Sequence, residues 1–454
     1  LNMKLSNLKG TKDFLPEELS RRNYVVDVLK RNFTAYGFQE ISTPSIENSE
    51  TLMGKYGDDG EKLVFRILNS GDKIKKADLE SFKKKKFNGF INSISSKGLR
   101  YDLTVPLARF VSQHQNEISF PFKRFQIQNV WRADRPQRGR FQEFIQCDVD
   151  VIGKKSLIQE IELIGLYDSV FSDLGFKDLT IKINHRSILT SVANYFGFHG
   201  KLVKDFITII DKIDKSGISN SYDELAKING DISKKIFFDL FESNLVKLET
   251  IKSVLQNSEE LENGFNEIEQ VFQFFSKQNK LTNKLNFDLK LARGLNYYTG
   301  LIIEVVAQDS SVGSLGGGGR YDDLVSLFNL KNVSGIGISF GLERICIEMD
   351  EKGLFNKDSH AKTDVLVINF GLQYLIQLYP LIKSLRKCGY NVNIFQENNK
   401  LNKQLSYANH HDIKYAIIMG ENEMKDNSIT IKNMRNGVQQ NKKLMNLDFK
   451  DIFN

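Results

Sequence analysis

The sequence predicts an α+β protein built from an antiparallel sheet flanked by helices, a helical insertion within it, and a C-terminal α/β domain. Three observations carry this. Phe122 to Gly153, FKRFQIQNVWRADRPQRGRFQEFIQCDVDVIG, reads as two alternating strands joined by a turn-rich loop. Residues 185–280 are low in glycine, carry no proline and contain amphipathic stretches such as LVKDFITIIDKI and NEIEQVFQFF. From Asp364 onward DVLVINF, YNVNIF, YAIIMG and SITIKN alternate with helical segments, the pattern of a compact domain with mostly parallel strands.

Size and composition bound the possibilities. A chain of 454 residues holds two or three domains, and 41% hydrophobic with 26% charged residues is a globular composition. The net charge of +7 is a small excess on this length, so the placement of the lysines matters more than their sum. Cys147, Cys346 and Cys388 are odd in number, far apart and in apolar contexts, which predicts reduced core thiols in a cytosol. No Cys and His spacing suits a metal, and no apolar run approaches the ~18 residues of a membrane span. The N-terminus lacks the apolar core of a signal peptide, and Leu1 and Asn2 ahead of Met3 are expected to be an addition.

In chain order, Gly10 to Pro16 is turn chemistry leading into a helix from near Glu17 to Ala35, ended by Gly37. A strand is predicted over Phe38 to Thr43, stopped by Pro44. In the lysine-rich insertion near 72–97, the consecutive Lys83 to Lys86 either meet phosphates or belong to a solvated loop, and the solvated loop is the expectation. In LRYDLTVPLARF, Asp102 and Thr104 share a face if the segment starts as a strand, and Pro106 lets a helix begin.

The first long strand puts Gln126, Gln128, Val130 and Arg132 on one face, and the second adds Phe144, Gln146, Asp148 and Asp150. The loop Ala133 to Arg140 presents Arg135, Arg138 and Arg140 around Pro136 and Gly139. A two-faced hairpin explains the alternation, but not arginines around the loop with acids deep on the same face, so that face is read as a ligand site.

A helix follows over Ile158 to Phe171, and FKDLTIKINHRSIL is a strand and a turn. Phe287 to Gln308 returns to strand character, interrupted by Arg293 and Gly294; an arginine there must meet an anion, either a protein carboxylate or a ligand. GSLGGGGRYD is either a flexible hairpin or backbone that passes close to a ligand. GIGISFGLERI is a strand entering a helix near Gly341. This places Arg344 in a first turn, unfavourable to the helix dipole unless it faces an anion.

GTKDFLPEE, LRYDLTVP, the segment ending FIQCDVDVIG, LARGLNYYTG and GIGISFGLER resemble, in this order, the motifs of the histidyl-tRNA synthetases within the class II aminoacyl-tRNA synthetases. The resemblance runs from about Leu8 to the C-terminus and is weakest between His185 and Leu281. It implies a class II synthetase catalytic domain in two segments, 1–184 and 281–350, and a helical insertion domain, 185–280, that approaches the tRNA acceptor arm. A linker, 351–362, then leads to an anticodon-binding α/β domain, 363–454. It implies a cytoplasmic homodimer, assembled through the first motif, that activates L-histidine with ATP and Mg2+ and transfers it to the 3′ end of tRNA(His). Arg132 and Arg293 would clamp the α-phosphate, with Arg293 also on the substrate carboxylate. Asp102 and Thr104 would hold the α-amino group, Gln146 the main-chain end, and Asp150 with Tyr297 or Tyr298 the imidazole. Arg140 and Arg344 would meet the outer phosphates, Phe144 adenine, and Glu343 a metal ion. Asn296 stands where the family commonly has an acid. Polar recognition of both imidazole nitrogens rejects other side chains strongly enough that no editing domain is expected.

Two other readings share the motifs: a synthetase-like regulatory subunit of a histidine-biosynthesis phosphoribosyltransferase, and a degenerate module that binds tRNA without catalysis. The C-terminal domain and the full set Asp102, Arg132, Gln146, Asp150, Arg293 and Arg344 favour catalysis.

Overall fold

Pro16 opens the first helix, Pro16–Ala35, at a position whose N–H a helix leaves unpaired, and Glu17 and Glu18 complement its dipole. Its buried stripe includes Val25, Val28, Leu29 and Phe33, and Gly37 turns the chain out of the helix at φ +81°. The structure, a computed structural model, describes residues 5–53, 63–242, 248–255, 259–276, 279–293, 298–322, 333–355 and 363–444. The chain forms two units, Leu1–Asn356 and Lys357–Asn454.

The strands of the first unit are β1 (Gln39–Glu40), β2 (Ile46–Asn48), β3 (Arg66–Ile67), β4 (Lys97–Leu99), β5 (Phe122–Trp131), β6 (Glu143–Gly153), β7 (Leu179–His185), β8 (Lys284–Phe287), β9 (Leu301–Ala307), β10 (Gly316–Arg320) and β11 (Ser334–Phe340). Eight of them make one sheet in the order β1-β5-β6-β11-β10-β9-β7-β8, and β2-β4-β3 form a small second sheet. The large sheet is antiparallel except at its two ends, where β1 runs parallel to β5 and β8 to β7. The strand expected over Phe38 to Thr43 shrinks to two exposed residues. Beyond them Thr43 serves side chains instead of a ladder: its carbonyl accepts from Arg100 Nη1 at 2.6 Å and its hydroxyl from Gln126 Nε2 at 2.7 Å.

One face of the sheet is apolar. Cys147, Val149 and Val151 of β6 pair with Phe340, Ile338 and Ile336 of β11, and all six are buried in the main core. Helices Pro16–Ala35, Leu157–Asp173 and Leu342–Glu351 cover that face; Phe340 meets Phe33 at 5.4 Å, Tyr167 at 4.7 Å and Phe171 at 5.8 Å between ring centres. Arg320 is also on this side, with Nε 2.5 Å and Nη2 2.7 Å from the two oxygens of the buried Glu160.

The lysine-rich segment is not a plain loop: between β3 and β4 it forms a 3-10 turn, Gly71–Lys76, and two short helices, Leu79–Lys83 and Phe87–Ile94. Between β7 and β8 the described residues form helices from Arg186–Tyr195 to Glu259–Phe274.

In the second unit β12 (Val365–Val367), β13 (Val392–Ile394), β14 (Tyr415–Ile418), β15 (Ser428–Asn433) and β16 (Gln439–Lys443) lie in the order β13-β12-β14-β15-β16. Only the pairings of β12 are parallel, which corrects the expectation of a mostly parallel sheet. Helices Leu372–Lys387 and Leu401–His410 supply two crossovers, but the five-residue helix Glu421–Lys425 is too short for a third, so β15 and β16 return antiparallel. Cys388, expected in a core, is exposed at the end of helix Leu372–Lys387, while Cys147 is buried.

Candidate active site

Residues paired across a sheet share a face, and the register lines up two transverse polar rows opposite the helices. One row runs Gln126, Asp148, Ser339, Gly317, Glu304, Lys182, and the next Arg124, Asp150, Gly337, Gly319, Ile302, Asn184. Both rows cross β10 and β11 at a glycine or a serine. A Cβ on Gly317 would lie 1.5 Å from Arg293 Nη1, and one on Gly337 1.9 Å from Asp150 Oδ1. The glycine run is therefore a central strand, not a hairpin, and its missing side chains are the space in which a guanidinium and a carboxylate rest.

At one end of this floor lie three buried acids. Asp150 pairs with the fully buried Arg124, Nη2 to Oδ2 2.6 Å, and accepts the Tyr321 hydroxyl on Oδ1. Asp148 accepts from the Ser339 hydroxyl and, at 3.3 Å, from the Gln146 amide. Burial pushes Asp148 up to about 7 and Asp102 up to about 6, and raises Asp150, although Arg124 pulls all three back down. Asp102 and Thr104 do not share a strand face: the helix Thr104–Gln113 begins first, because Pro106 is tolerated in its opening turn. Asp102 instead caps that helix, accepting the Val105 N–H at 3.2 Å, and lies within the electrostatic reach of Arg132, Arg124 and Asp150. Thr104 is half-buried beside it.

Beyond them lie four arginines, with Arg132 nearest the acids. Arg132, half-buried just past β5, donates from Nε to the Tyr101 carbonyl at 2.9 Å and stands 5.2 Å over the Phe144 ring. Arg293 is not in a strand but in the loop after β8, at φ +52°, with Nη1 3.5 Å from Glu304 Oε1. The helical insertion braces that loop: Asp211 accepts the Arg293 backbone N–H, and Asp214 lies 3.8 Å from Lys290. Arg344 donates to the Ser314 carbonyl at 2.8 Å. Burial lowers its pKa, and the like charges of Arg140, Arg293 and Arg132 lower it further against the single opposing carboxylate, Glu304. Arg140 is exposed on its loop, Arg135 is exposed, and Arg138 pairs with Glu351.

Glu343 is not among these groups. Both its oxygens are taken by the buried Arg22, which ties helix Leu342–Glu351 to the first helix on the apolar side of the sheet. This corrects the expectation of a metal ligand there. Tyr298 is buried against Gly319, whereas Tyr297 and Asn296 lie outside the described residues. Sequence reading missed Arg124, Tyr321, Ser339 and Glu304. Extending the alternation one step before Gln126 would have placed Arg124 in its row; nothing local marks Tyr321.

The arrangement is bipolar. Three acids gather round the buried Arg124 where a cation would be welcome, Arg132 reaches both Asp102 and Arg344, and Arg293, Arg344 and Arg140 lie with Glu304 where an anion would be.

Comparison with known proteins identifies the family. The family profile described as Histidyl-tRNA synthetase matches residues 92–345, and that described as Anticodon binding domain matches 364–448. A histidine–tRNA ligase of Christiangramia forsetii is 47% identical over 449 residues, covering 98% of this chain and 97% of its own length. The crystal structure of histidyl-tRNA synthetase from a Nostoc species has a TM-score of 0.79 at 28% identity, over 97% of both chains. An ATP phosphoribosyltransferase regulatory subunit/histidyl-tRNA synthetase from Bacillus halodurans shares the fold, with a TM-score of 0.70 at 19% identity over 90% of this chain and 97% of that one. The motifs in register, the polar rows they build and a relative matched along nearly its whole length converge on one conclusion: the chain belongs to the histidyl-tRNA synthetase family.

Proposed function

We infer that this chain is a histidine–tRNA ligase, which joins L-histidine to ATP as histidyl-adenylate with release of pyrophosphate and then transfers histidine to the 3′ end of tRNA(His). The bipolar floor carries the reading. The substrate amino acid brings an ammonium and an imidazole N–H, and ATP brings a triphosphate; a cluster of acids and a cluster of arginines that meet at Arg132 match that pair of partners.

In the first step an oxygen of the ionised histidine carboxylate bonds to the α-phosphorus as the bond to pyrophosphate breaks. The nucleophile is already ionised, so no general base is needed. Two anions must approach, and charge grows on the phosphate oxygens, so fixed cations are the main requirement. Arg132 and Arg293 fill that role, Arg293 steadied by Glu304. Arg344 and Arg140 meet the outer phosphates, and Phe144 stacks on adenine. Asp102 and Thr104 take the α-ammonium, Gln146 the main-chain end, and Asp150 with Tyr298 or Tyr297 the imidazole. Arg124 and Tyr321 hold Asp150 in a fixed orientation. A magnesium ion would arrive with the triphosphate. There it would offset the charge of the outer phosphate oxygens; Glu343, tied to Arg22, does not fit as its ligand.

In the same reading, 185–280 is the insertion that approaches the acceptor arm and 363–454 the anticodon-binding domain, supported by the profile match over 364–448. A homodimer is consistent with the exposed edge strand β1, and a cytoplasmic setting with the three free thiols. Exchange of labelled pyrophosphate into ATP, run with each of the twenty amino acids and no tRNA, tests the core of it. Exchange with histidine alone is expected; none with any amino acid on folded protein would leave only a binding module.

A further inference from the structure

We propose that the lysine-bearing hairpin between β3 and β4 is a tRNA-binding element that grips the phosphate backbone of the arm leading to the 3′ end. This rests on the synthetase reading above and on the charge, exposure and anchoring of the hairpin.

Residues 71–97 hold eight lysines against three acids, a surplus of five out of the whole chain's net +7. The three acids are consumed inside the hairpin. Asp72 lies 2.8 Å from Lys75 Nζ and Glu80 2.9 Å from Lys83 Nζ. Asp78 caps the helix Leu79–Lys83, accepting the Ser81 hydroxyl at 2.6 Å and the Ser81 N–H at 2.9 Å, which holds its carboxyl below the usual range. Lys73, Lys76, Lys84, Lys85 and Lys86 form no ion pair among the described residues, and all five are exposed. Confined charge of one sign on an exposed element is the electrostatic footprint of a polyanion site.

A solvated loop accounts for the charge but not for what lies beside it. No residue of the 3-10 turn or the two helices is buried, and Leu79, Phe82 and Phe87 are 60%, 52% and 53% exposed. Phe82 belongs to a small ring cluster, edge-on to Phe87 at 6.0 Å and tilted against Phe90 at 5.0 Å between centres. Rings set among cations suit RNA, where lysines meet phosphates and aromatic faces meet unstacked bases.

The hairpin is also rooted where a tRNA end must pass. Its base is fastened to the small sheet by Arg66 Nη1 to Asn92 Oδ1 at 3.1 Å, Ser95 Oγ to the Ile67 carbonyl at 2.9 Å, and the Asn69 N–H to the Ile94 carbonyl at 2.7 Å. From β4 the chain runs directly through Arg100 and Tyr101 to Asp102. The eight-residue helix Phe87–Ile94 spans ~12 Å and the extended run to Asp102 at most ~26 Å. The lysine turn is thus within ~38 Å of the acids, about the rise of eleven stacked base pairs.

The test is the full-length protein with K73Q, K76Q, K84Q, K85Q and K86Q combined, substitutions at exposed positions that leave the core intact. Binding to a tRNA(His) transcript is measured across a salt series, together with KM for tRNA in aminoacylation. At a slope of roughly 0.9 per phosphate neutralised, five lysines contribute up to ~4.5 to the slope of log K against log salt. The expected result is a slope shallower by at least ~2 and a KM for tRNA raised at least ~10-fold. Unchanged slope and KM would overturn the proposal. Histidine-dependent pyrophosphate exchange, which needs no tRNA, is run on the same preparations. Retained exchange is expected; loss of exchange only in the variant would show that the hairpin supports the Asp102 segment instead, and would also overturn it. Absent exchange in the unsubstituted protein would sink the underlying synthetase reading as well.

Discussion

Replacing Gly317 by alanine adds one methyl group to the floor of the site, and its consequences separate catalysis from folding. The new Cβ would lie 1.5 Å from Arg293 Nη1, 2.3 Å from Cζ and 2.8 Å from Nη2, with no backbone atom among those nearest neighbours. What must move is the far end of a flexible side chain, by about 2 Å to reach an ordinary contact distance of ~3.5 Å. The strand itself has no left-handed φ at this position, so stability should change by less than ~1 kcal/mol, and lost freedom in the unfolded chain favours alanine slightly. A cation aimed at developing charge is worth ~3 to 4 kcal/mol, and displacement by an ångström or more forfeits much of it, so histidine-dependent exchange should fall by ~10^2 or more. Next door, a Cβ on Gly318 would meet the Gly337 carbonyl oxygen at 2.0 Å and Ile338 Cα at 2.6 Å, both backbone. Gly318→Ala must therefore push β10 and β11 apart and should fail to fold stably. The assay pairs pyrophosphate exchange with thermal unfolding of both variants. G317A with wild-type exchange, or G317A as unstable as G318A, would refute the placement of Arg293 over this glycine.

Three further outcomes are expected. Arg124→Met strands Asp150 among buried acids and should cost roughly 3 to 5 kcal/mol in urea unfolding; a loss below ~1 kcal/mol would mean the pair does not hold the row together. Asp102 and Asp148 have folded pKa values raised to about 6 and about 7, so between pH ~4 and 7 the folded state holds more protons than the unfolded one. Their contribution to stability is full below pH ~4 and is lost as pH rises through 6 to 7, on the order of a few kcal/mol, and Asp148→Asn should flatten the dependence in ligand-free protein. Glu343→Gln leaves Arg22 buried without its charge partner and should destabilise by ~3 kcal/mol while leaving the magnesium requirement of the exchange reaction unshifted; a shifted requirement would return Glu343 to the metal.

The regions of this fold that were legible in the sequence are those governed by local period. Alternation along Phe122 to Gly153 assigned both faces of β5 and β6 correctly, because a period of two survives any tertiary context that buries one face. The helical insertion and the first helix followed from spacing in the same way. What the sequence could not state was partnership at long range. Arg124 meets Asp150 only because β5 and β6 pair in one register, and Tyr321 reaches the same carboxylate across 171 positions. The polar face looked solvent-facing or ligand-facing by composition, yet Arg124 and Gln126 are fully buried, a fact that depends on Thr43 and Arg100 closing over β5. Glu343 misled because its neighbour Arg344 points into the site. Adjacent positions on a helix lie ~100° apart, so the pair divides between the two sides of the sheet.

The glycines of β10 and β11 tie these observations together. A strand without side chains at the centre of a sheet is intrinsically poor, since glycine loses the most freedom on folding and offers nothing to pack. Here the deficit on the apolar face is met from outside: the Tyr167 ring lies under Gly316, and its hydroxyl donates to the Ser339 carbonyl at 2.9 Å. On the polar face the same absence admits Arg293 over Gly317 and Asp150 over Gly337, drawing an arginine from the anion end and an acid from the cation end onto neighbouring strands. Bulk at either position would push the two poles away from the floor. The scissile α-phosphate must meet both the substrate carboxylate and an arginine, while the ammonium of that substrate reaches an acid. In the proposed reaction a bare strand would let the two ends of one small amino acid touch opposite charges at once.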